Sequence, residues 1–378
     1  MDRQIDVIII GGGLAGLTCA IHLSKAGKAV LLIEKNAYPH HKVCGEYLSK
    51  EVVPYLQWLD ADPYRLNPVE ISMLQVSTET GRNCNIKLPL GGLGISRYVL
   101  DDFLYQRAIA AGCIMVQDTV KEVSFAGEKH LVRTGMGEYT AELVLGAYGK
   151  RSGLDHKLNR SFIRERSPWL AVKAHYRTDF PSGLVSLHNF KGGYCGVSRV
   201  ENGMTNICYL VDYESFKSHK GLQAFQQAVL FKNKYLRQVL ETAELAFESE
   251  LTISQIRFGH KEMVQEHMLM IGDTAGLIHP LCGNGMGMAI HSAQICSALV
   301  LDFLSGRIRS RLTLENCYRQ QWKHNFSTRI RMGKILSAIM NKERLAETVM
   351  SGLVRFPQVL APVIRMTHGS PLIIPQYG

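Results

Sequence analysis

The stretch that decides the fold is Asp6-Val-Ile-Ile-Ile-Gly-Gly-Gly-Leu-Ala-Gly16, continuing to Ala29-Val-Leu-Leu-Ile-Glu34. Residues 6–10 are, after the aspartate, an uncharged β-branched run, the composition of a strand buried on both faces. Leu14, Leu17 and Ile21 then recur at helical spacing, and the helix is expected to stop near Gly27. Residues 29–33 read as a second buried strand, closed by Glu34. Strand, glycine turn, helix and strand in succession make a βαβ unit. In Gly11-x-Gly13-x-x-Gly16 the first glycine permits the tight turn. The second lets backbone approach a pyrophosphate, and the third lets helix and strand pack closely. The helix N-terminus adds free N–H groups and a positive dipole. Glu34 lies eighteen residues past Gly16. There its carboxylate can accept ribose hydroxyls and would repel a 2′-phosphate.

Outward from this unit, 69–90 reads as β-type runs around a polar turn at Glu79–Arg82. A helix is expected over Asp101–Gly112, with Asp101 or Asp102 near its N-cap. Strands are expected at 114–117, 129–133 and 141–145. Short alternating runs at 169–178, 184–190, 194–200 and 205–212 predict an antiparallel sheet. Lys220–Phe247 reads as helical and Met268–Ile271 as a buried strand. A long helix begins around Gly285 and ends at Ser305-Gly306. The remainder, 307–378, is helical and basic at first, then apolar and punctuated by Pro357, Pro362, Pro371 and Pro375.

A second constellation is Ile271-Gly-Asp-Thr-Ala-Gly276, followed by Pro280-Leu-Cys-Gly-Asn-Gly-Met-Gly287. An aspartate just past a buried strand suits a ligand hydroxyl, and the glycines let backbone lie against a flat ring. The helix starting near Gly285 aims its positive end there. A reduced flavin carries negative charge at N1 and the C2 carbonyl, where such a dipole stabilises it.

Together, these segments resemble the geranylgeranyl reductase family of FAD-dependent oxidoreductases, within the wider group of aromatic hydroxylases and flavin-dependent halogenases. The residues that carry the resemblance are GGGLAG at 11–16, Glu34-Lys35, Tyr38-Pro39, Lys42-Val-Cys-Gly-Glu46, Ser96-Arg97 with Asp101, and GDTAG…PLCGNGMGMA at 272–289. The resemblance implies FAD, with Glu34 on the AMP ribose, Asp273 on the ribityl chain and Arg97 on the phosphate–ribityl region. Gly283 to Gly287 would border the isoalloxazine. Cofactor contacts are expected at Gly11, Gly13, Leu14, Ala15, Gly16, Glu34, Lys35, Lys42, Val43, Cys44, Gly45, Arg97 and Val120. They continue at Gly272, Asp273, Pro280, Gly283, Gly285, Met286 and Gly287. The sequence departs from the family pattern at His40, at Tyr148 and at Gly193-Tyr-Cys-Gly196, and the Trp-x-Trp-x-Ile-Pro signature of halogenases is absent.

By the same resemblance, Lys42-Val-Cys44-Gly45 lies beside the flavin over the substrate pocket. Cys44 is expected either to donate a proton to carbon after hydride transfer or to shape the pocket as a small apolar side chain. His279, just before Pro280, is the second candidate for proton transfer. Glu46 and Lys42 are read as a solvated pair, with a flavin contact from Lys42 as the other reading. His22 is read as a surface residue of the first helix, and His175, His188, His260 and His291 as isolated and structural. Tyr194 and Tyr209 on the sheet are read as core or pocket lining.

Nine cysteines, an odd number without CxxC or metal-type spacing, support neither a disulfide framework nor a zinc site, and fit a reducing compartment. No metal is expected. The formal net charge is +10. Nucleic acid is not expected, because no helix-turn-helix, RRM or zinc motif is present. Eight of the basic residues fall between 301 and 334 against two acidic ones. They predict a local basic surface for a membrane, an acidic or carrier-bound substrate, or a passing NADPH. In 307–365 basic and apolar residues interleave at helical spacing. That segment is expected either to touch a membrane peripherally or to pack on the body. The largely apolar N-terminal run has acidic flanks and glycine breaks, so it does not read as a signal peptide.

The expected fold class is α/β, in an α+β composite. An FAD-binding Rossmann-like parallel-sheet domain is assembled from 1–68, 91–158 and 259–306. A mainly antiparallel β-sheet substrate domain comes from 69–90 and 159–258, and 307–378 is a helical C-terminal region. The expected activity is NAD(P)H-driven reduction of a C=C bond in an apolar, lipid-like substrate by hydride from flavin N5. The alternative is monooxygenation of an aromatic or polyketide-like ring. With a single GxGxxG, NAD(P)H would bind transiently. The substrate should be an apolar or aromatic small molecule, since the predicted sheet supplies few charges. The expected location is cytoplasmic or peripheral to a membrane. The oligomeric state is not legible in the sequence.

Overall fold

The computed structural model of the chain describes residues 4–374. β1 (Ile5–Ile10), α1 (Leu14–Lys25) and β2 (Val30–Glu34) form the βαβ unit. β1 is flanked in parallel by β2 and by a later strand, which is why Val7 to Ile10 are uniformly apolar and buried. β3 (Tyr47–Ser49) and α2 (Val53–Trp58) follow, then β4 (Val69–Ser77) and β5 (Asn83–Gly94). α3 (Arg97–Ala110) begins a full turn earlier than expected. Its cap is Ser96, whose hydroxyl accepts the Val99 N–H at 3.2 Å. Asp101 is not a cap, because its carboxylate is claimed by Arg97 and Lys42.

β6 (Ile114–Gln117), β7 (Glu122–Ala126), β8 (Lys129–Arg133) and β9 (Glu138–Gly146) come next. β7 was not anticipated. It pairs with β8 through the two-residue turn Gly127-Glu128, both at positive φ (56° and 64°). That is the backbone of a hairpin turn without the usual Asn-Gly signal. α4 (Gly153–Lys157) leads to β10 (Trp169–Arg177), β11 (Leu184–Phe190), β12 (Gly193–Arg199) and β13 (Thr205–Asp212). The single helix expected over 220–247 is broken into pieces. α5 (Tyr213–Lys217) precedes α6 (Leu222–Ala228) and α7 (Lys234–Leu240). Asn233 fixes the break: its Oδ1 caps Tyr235 N–H, and its amide donates to Ser77 Oγ and to the Thr78 and Asn189 carbonyls. Short strands β14 (Glu244–Leu245), β15 (Leu251–Ser254), β16 (Gly259–His260), β17 (Val264–Gln265), β18 (Met268–Met270) and β19 (Gly276–Leu277) precede the C-terminal helices. These are α8 (Gly285–Leu304), α9 (Arg311–Met340), α10 (Glu343–Arg355) and α11 (Leu360–Thr367).

Two large sheets result. The first runs β17-β18-β9-β1-β2-β6, with the β7–β8 hairpin on β9. Its core, β18-β9-β1-β2-β6, is parallel. The second runs β14-β10-β13-β12-β11-β4-β5-β3, with β15 also on β10. It is mainly antiparallel, but β4 and β11 pair in parallel. β3 belongs to this second sheet, although its residues fall in the first expected segment.

α8 packs between α1 and α9. Among the described residues it is one helix long and apolar enough to cross a membrane, yet 61% of its most apolar window is buried inside the protein. His22, expected at the surface, is fully buried, because α2 covers that face of α1 and Tyr55 Oη meets its Nδ1 at 2.7 Å.

The basic stretch 301–334 is not one free surface. Arg307 pairs with Asp302, Arg319 with Glu315 and Arg311 with Glu128. Arg329 is buried against Glu51 at 3.2 Å. Four of the eight basic residues thus have acidic partners, two of them, Glu51 and Glu128, from outside the stretch.

Candidate active site

The glycine loop joins β1 to α1. A side chain on Gly11 (φ 106°) would place its Cβ 2.5 Å from the Ala147 carbonyl, and one on Gly16 would lie 2.0 Å from the Gly11 carbonyl. Above Gly13 the nearest atom to such a Cβ is Arg97 Nη2, at 3.7 Å. Gly13 is the N-cap of α1 and offers no side-chain cap, and the first turn holds no acid. The first N–H groups of α1, including those of Leu14 and Ala15, therefore face an anion-ready space. At the end of β2, Glu34 accepts the Gly12 N–H at 2.7 Å on one oxygen and the Asn36 N–H at 2.9 Å on the other. Each oxygen keeps a lone pair for a ribose hydroxyl. Lys35 is exposed and Val120 half-buried. Tyr38, stacked on Tyr105 with ring centres 4.4 Å apart, donates to the Gly12 carbonyl at 2.5 Å.

Beside this loop, Arg97 grips Asp101 with two bonds of 2.7 and 2.8 Å, and Lys42 Nζ reaches the same carboxylate at 2.7 Å. Burial alone would raise the Asp101 carboxyl. The Arg97 charge and then Lys42 overcome it and hold it below the usual range. Two cations on one carboxylate leave a positive residue of charge under the Gly13 space.

The expected Glu46–Lys42 pair is therefore corrected. Glu46 is fully buried and meets Lys173 Nζ at 3.0 Å, His175 Nε2 at 2.5 Å and the Arg97 N–H at 3.0 Å. Burial would raise its carboxyl, and the His175 bond with the Lys173 charge lowers it instead. Glu46 sits at φ 52°, a conformation rare for a residue with a side chain. Its three bonds hold it there. His175 is thus not isolated, and the sheet supplies charge after all: Lys173 and His175 both come from β10.

Between Lys42 and Glu46, the Val43–Gly45 loop is pinned from two sides. Lys150 Nζ donates to the Val43 carbonyl at 3.2 Å, and Asn206 Nδ2 to the Cys44 carbonyl at 3.2 Å. The Glu46 N–H points to Cys44 Sγ at 3.4 Å. Cys44 is half-buried, within electrostatic reach of Arg97, Tyr194 and Cys208. Gly45 has no atom within 4 Å of a Cβ position.

The second loop closes the site. Gly272 (φ 60°) is wedged so that a Cβ would lie 2.9 Å from Ala15 Cβ. This places Asp273 against the start of α1, within electrostatic reach of Arg97. Lys261, a residue the sequence did not single out, donates to the Lys150 and Asp273 carbonyls at 2.7 and 2.8 Å. Burial pushes its ammonium down to about 8. His279 Nδ1 accepts the Leu281 N–H at 3.4 Å, so Nε2 carries the proton of the neutral ring. That Nε2 is buried with no hydrogen-bond partner among the described residues, and Trp169, Tyr194 and Phe258 surround the ring. Burial pushes its pKa to about 3.

After Pro280, Gly283 takes φ 63° and approaches Tyr47, 3.5 Å from a would-be Cβ. α8 opens at Gly285 and the buried Met286, and Asn284 before it makes no side-chain cap. A Cβ on Gly287 would lie 2.2 Å from Asn284 Oδ1. Asn284 instead donates to the Thr367 carbonyl at 2.9 Å, while its Oδ1 is buried and unpartnered.

These residues fit FAD. Two helix N-termini lack side-chain caps, Gly272-Asp273 lies between them, space is open over Gly13 and Gly285, and a carboxylate ends β2. Residues 6–43 match the family described as FAD dependent oxidoreductase. The chain is 22% identical over 377 residues to digeranylgeranylglycerophospholipid reductase 2 of Methanopyrus kandleri, covering 90% of this chain and 88% of that protein. It is 23% identical over 332 residues to the menaquinone reductase of Mycolicibacterium smegmatis, covering 79% and 77%.

The chain is an FAD-dependent oxidoreductase.

The fold of this oxidoreductase is that of the flavin-dependent brominase Bmp2, with a TM-score of 0.80, 18% identity, and 97% of this chain and 93% of that one covered. It is also that of the halogenase PltM solved with phloroglucinol and FAD, with a TM-score of 0.77, 14% identity, and 97% and 85% covered. The first motif's glycine loop follows the C-terminal end of β1, a central strand of the parallel sheet, and Gly272 of the second motif packs against Ala15 at the start of α1.

Proposed function

We propose that the oxidoreductase reduces a C=C bond of an apolar, lipid-like substrate. The observation that carries this reading is the setting of Cys44. Its loop is fixed by Lys150, Asn206 and Glu46, and its neighbour Val43 packs with Leu281 against an apolar cluster of the second sheet built on Ala171, Tyr194, Leu210 and Ile256. A thiol is thus presented beside an apolar roof, between the two loops that would hold FAD. When bound and reduced by two electrons from the donor, FAD would supply hydride to one carbon of the double bond. Cys44 Sγ gives its proton to the other carbon, and the thiolate is reprotonated from water. His279, neutral down to about pH 3, orients by its Nε2–H and does not serve as the acid. The Glu46–Lys173–His175 group fixes the Cys44 loop. NAD(P)H is the proposed electron donor, binding transiently, since the sequence holds one dinucleotide fingerprint. The names of the two reductase relatives support the same reaction class.

The test is anaerobic turnover of the FAD-loaded protein with NADPH and a polyprenyl substrate, with the product weighed by mass spectrometry. A gain of two hydrogens per reduced bond is expected. Cys44→Ala should lower turnover roughly 10²–10⁴-fold with the flavin spectrum unchanged. A strict oxygen requirement with a hydroxylated product would replace this reading with monooxygenation. A colourless protein that cannot be reconstituted would remove the cofactor assignment itself.

A further inference from the structure

Half of the large apolar side chains exposed among the described residues, nine of eighteen, lie between Ile335 and Ile374. Three of them form a stripe. Phe356 (52% exposed), Val359 (56%) and Met366 (45%) follow the turn after α10 and run along α11. Their spacing keeps them on the face opposite Ile364 and Thr367, which are buried against the body. Arg355 and Arg365 flank this stripe in the chain, and Lys342 and Arg344 stand at the start of α10; all four are exposed and without an ion-pair partner among the described residues. Glu347 on α10 is engaged by Arg82. An exposed apolar stripe with exposed cations on its flanks matches an acyl boundary topped by anionic headgroups.

Beneath α11 lies a cavity of about 280 Å³ lined by Tyr47, Leu88, Ile364, Arg365 and His368. Tyr47, on the cavity wall, also lies 3.5 Å from a would-be Cβ on Gly283. α11 is also tied to the site, since Asn284 donates to the Thr367 carbonyl and the Gly369 N–H donates to Glu51.

We infer that the α10–α11 face seats on an anionic phospholipid bilayer, and that the cavity beneath α11 is the portal by which an apolar substrate passes from the bilayer to the Gly283 loop. The portal rests on the reductase reading; the seating does not.

The experiment is sedimentation of the FAD-loaded protein with phosphatidylcholine vesicles, with and without phosphatidylglycerol. Binding to the mixed vesicles that weakens with salt is expected. Phe356→Ser with Val359→Ser should weaken it at least tenfold, and Arg355→Gln about fivefold. These variants should keep FAD content and turnover of a detergent-dispersed substrate. No sedimentation, or equal sedimentation on neutral vesicles, overturns the seating. So does a dimer in solution that Phe356→Ser dissolves, which would make a second copy the occupant. Leu88→Trp, which fills the cavity, should raise KM for a vesicle-borne substrate at least tenfold with flavin reduction by the donor unchanged. An unchanged KM overturns the portal. Sedimentation needs no turnover, so failure of the reductase reading leaves it standing, and failure to sediment leaves that reading standing.

Discussion

Arg97 and Asp101 stand one helical turn apart on α3 and meet through two bonds of 2.7 and 2.8 Å, with the guanidinium beside the open face of Gly13. The fork aims a cation at the start of α1, because a fully buried carboxylate on the same helix leaves it one orientation. Replacing Arg97 by Met should weaken FAD binding roughly 10–100-fold, the worth of one charge-assisted bond at ~1.5–3 kcal/mol. Arg97→Lys should recover only part, since an ammonium cannot fork. Titration of apoprotein by flavin fluorescence measures both, and an unchanged Kd in Arg97→Met would remove Arg97 from the cofactor site.

Glu46 predicts a pH dependence of stability. Its folded carboxyl lies below the ordinary value of about 4.3. Its contribution is therefore complete above that value and is lost as pH falls through the lower folded value. Glu46→Gln leaves Lys173 buried without its counter-charge, at a cost of roughly 3–5 kcal/mol. Urea unfolding at neutral pH should show that gap between variant and parent. As pH falls below the ordinary value the gap should narrow, and it should close only once pH passes below the lower folded value; a gap that does not narrow in acid would mean the carboxylate charge is not what stabilises.

His279 makes a negative prediction. Burial among Trp169, Tyr194 and Phe258 keeps it neutral down to about pH 3. The limbs of a kcat–pH profile between about pH 5 and 8 should therefore be the same in His279→Asn, whatever the loss in rate. A limb that disappears in the variant would show that His279 titrates in the working enzyme.

Gly16→Ala tests the close packing of the glycine loop. The added Cβ would sit 2.0 Å from the Gly11 carbonyl, which is backbone and cannot swing aside. A loss of roughly 1–3 kcal/mol or more is expected, with the flavin lost on gel filtration. A variant that keeps parental Tm and full flavin content would contradict the loop geometry.

Much of the cofactor half is legible in the chain because its logic is local. Residues 6–34 contain their own strand pairing, turn and helix, and the periodicity of Leu14, Leu17 and Ile21 needs no distant partner to be read. The same holds for Gly272-Asp273 at the end of a short buried strand. Where a residue's role depends on what lies across the fold, the reading slips. Asp101 looks like a helix cap because aspartates cap helices; only the approach of Arg97 and Lys42 makes it a buried anchor. Asn233 breaks an otherwise helical stretch because Ser77, Thr78 and Asn189 stand where its amide can donate. Glu46 pairs with Lys173 and His175, more than a hundred residues away, so nothing near it in sequence signals the partnership. The basic run after residue 301 reads as one charged surface. Glu51, Glu128 and Asp302 then neutralise part of it, two of them from far upstream.

By itself the sequence determined the βαβ unit, the positions of the two glycine loops and the acid that ends β2. Each follows from backbone sterics and short-range periodicity. Tertiary structure alone decided which charges meet, that the Cys44 loop is held from β13 and from the segment after β9, and that α10–α11 leave an apolar stripe uncovered. Those outcomes depend on burial and on distances between residues far apart in the chain, and a pattern along one dimension carries neither.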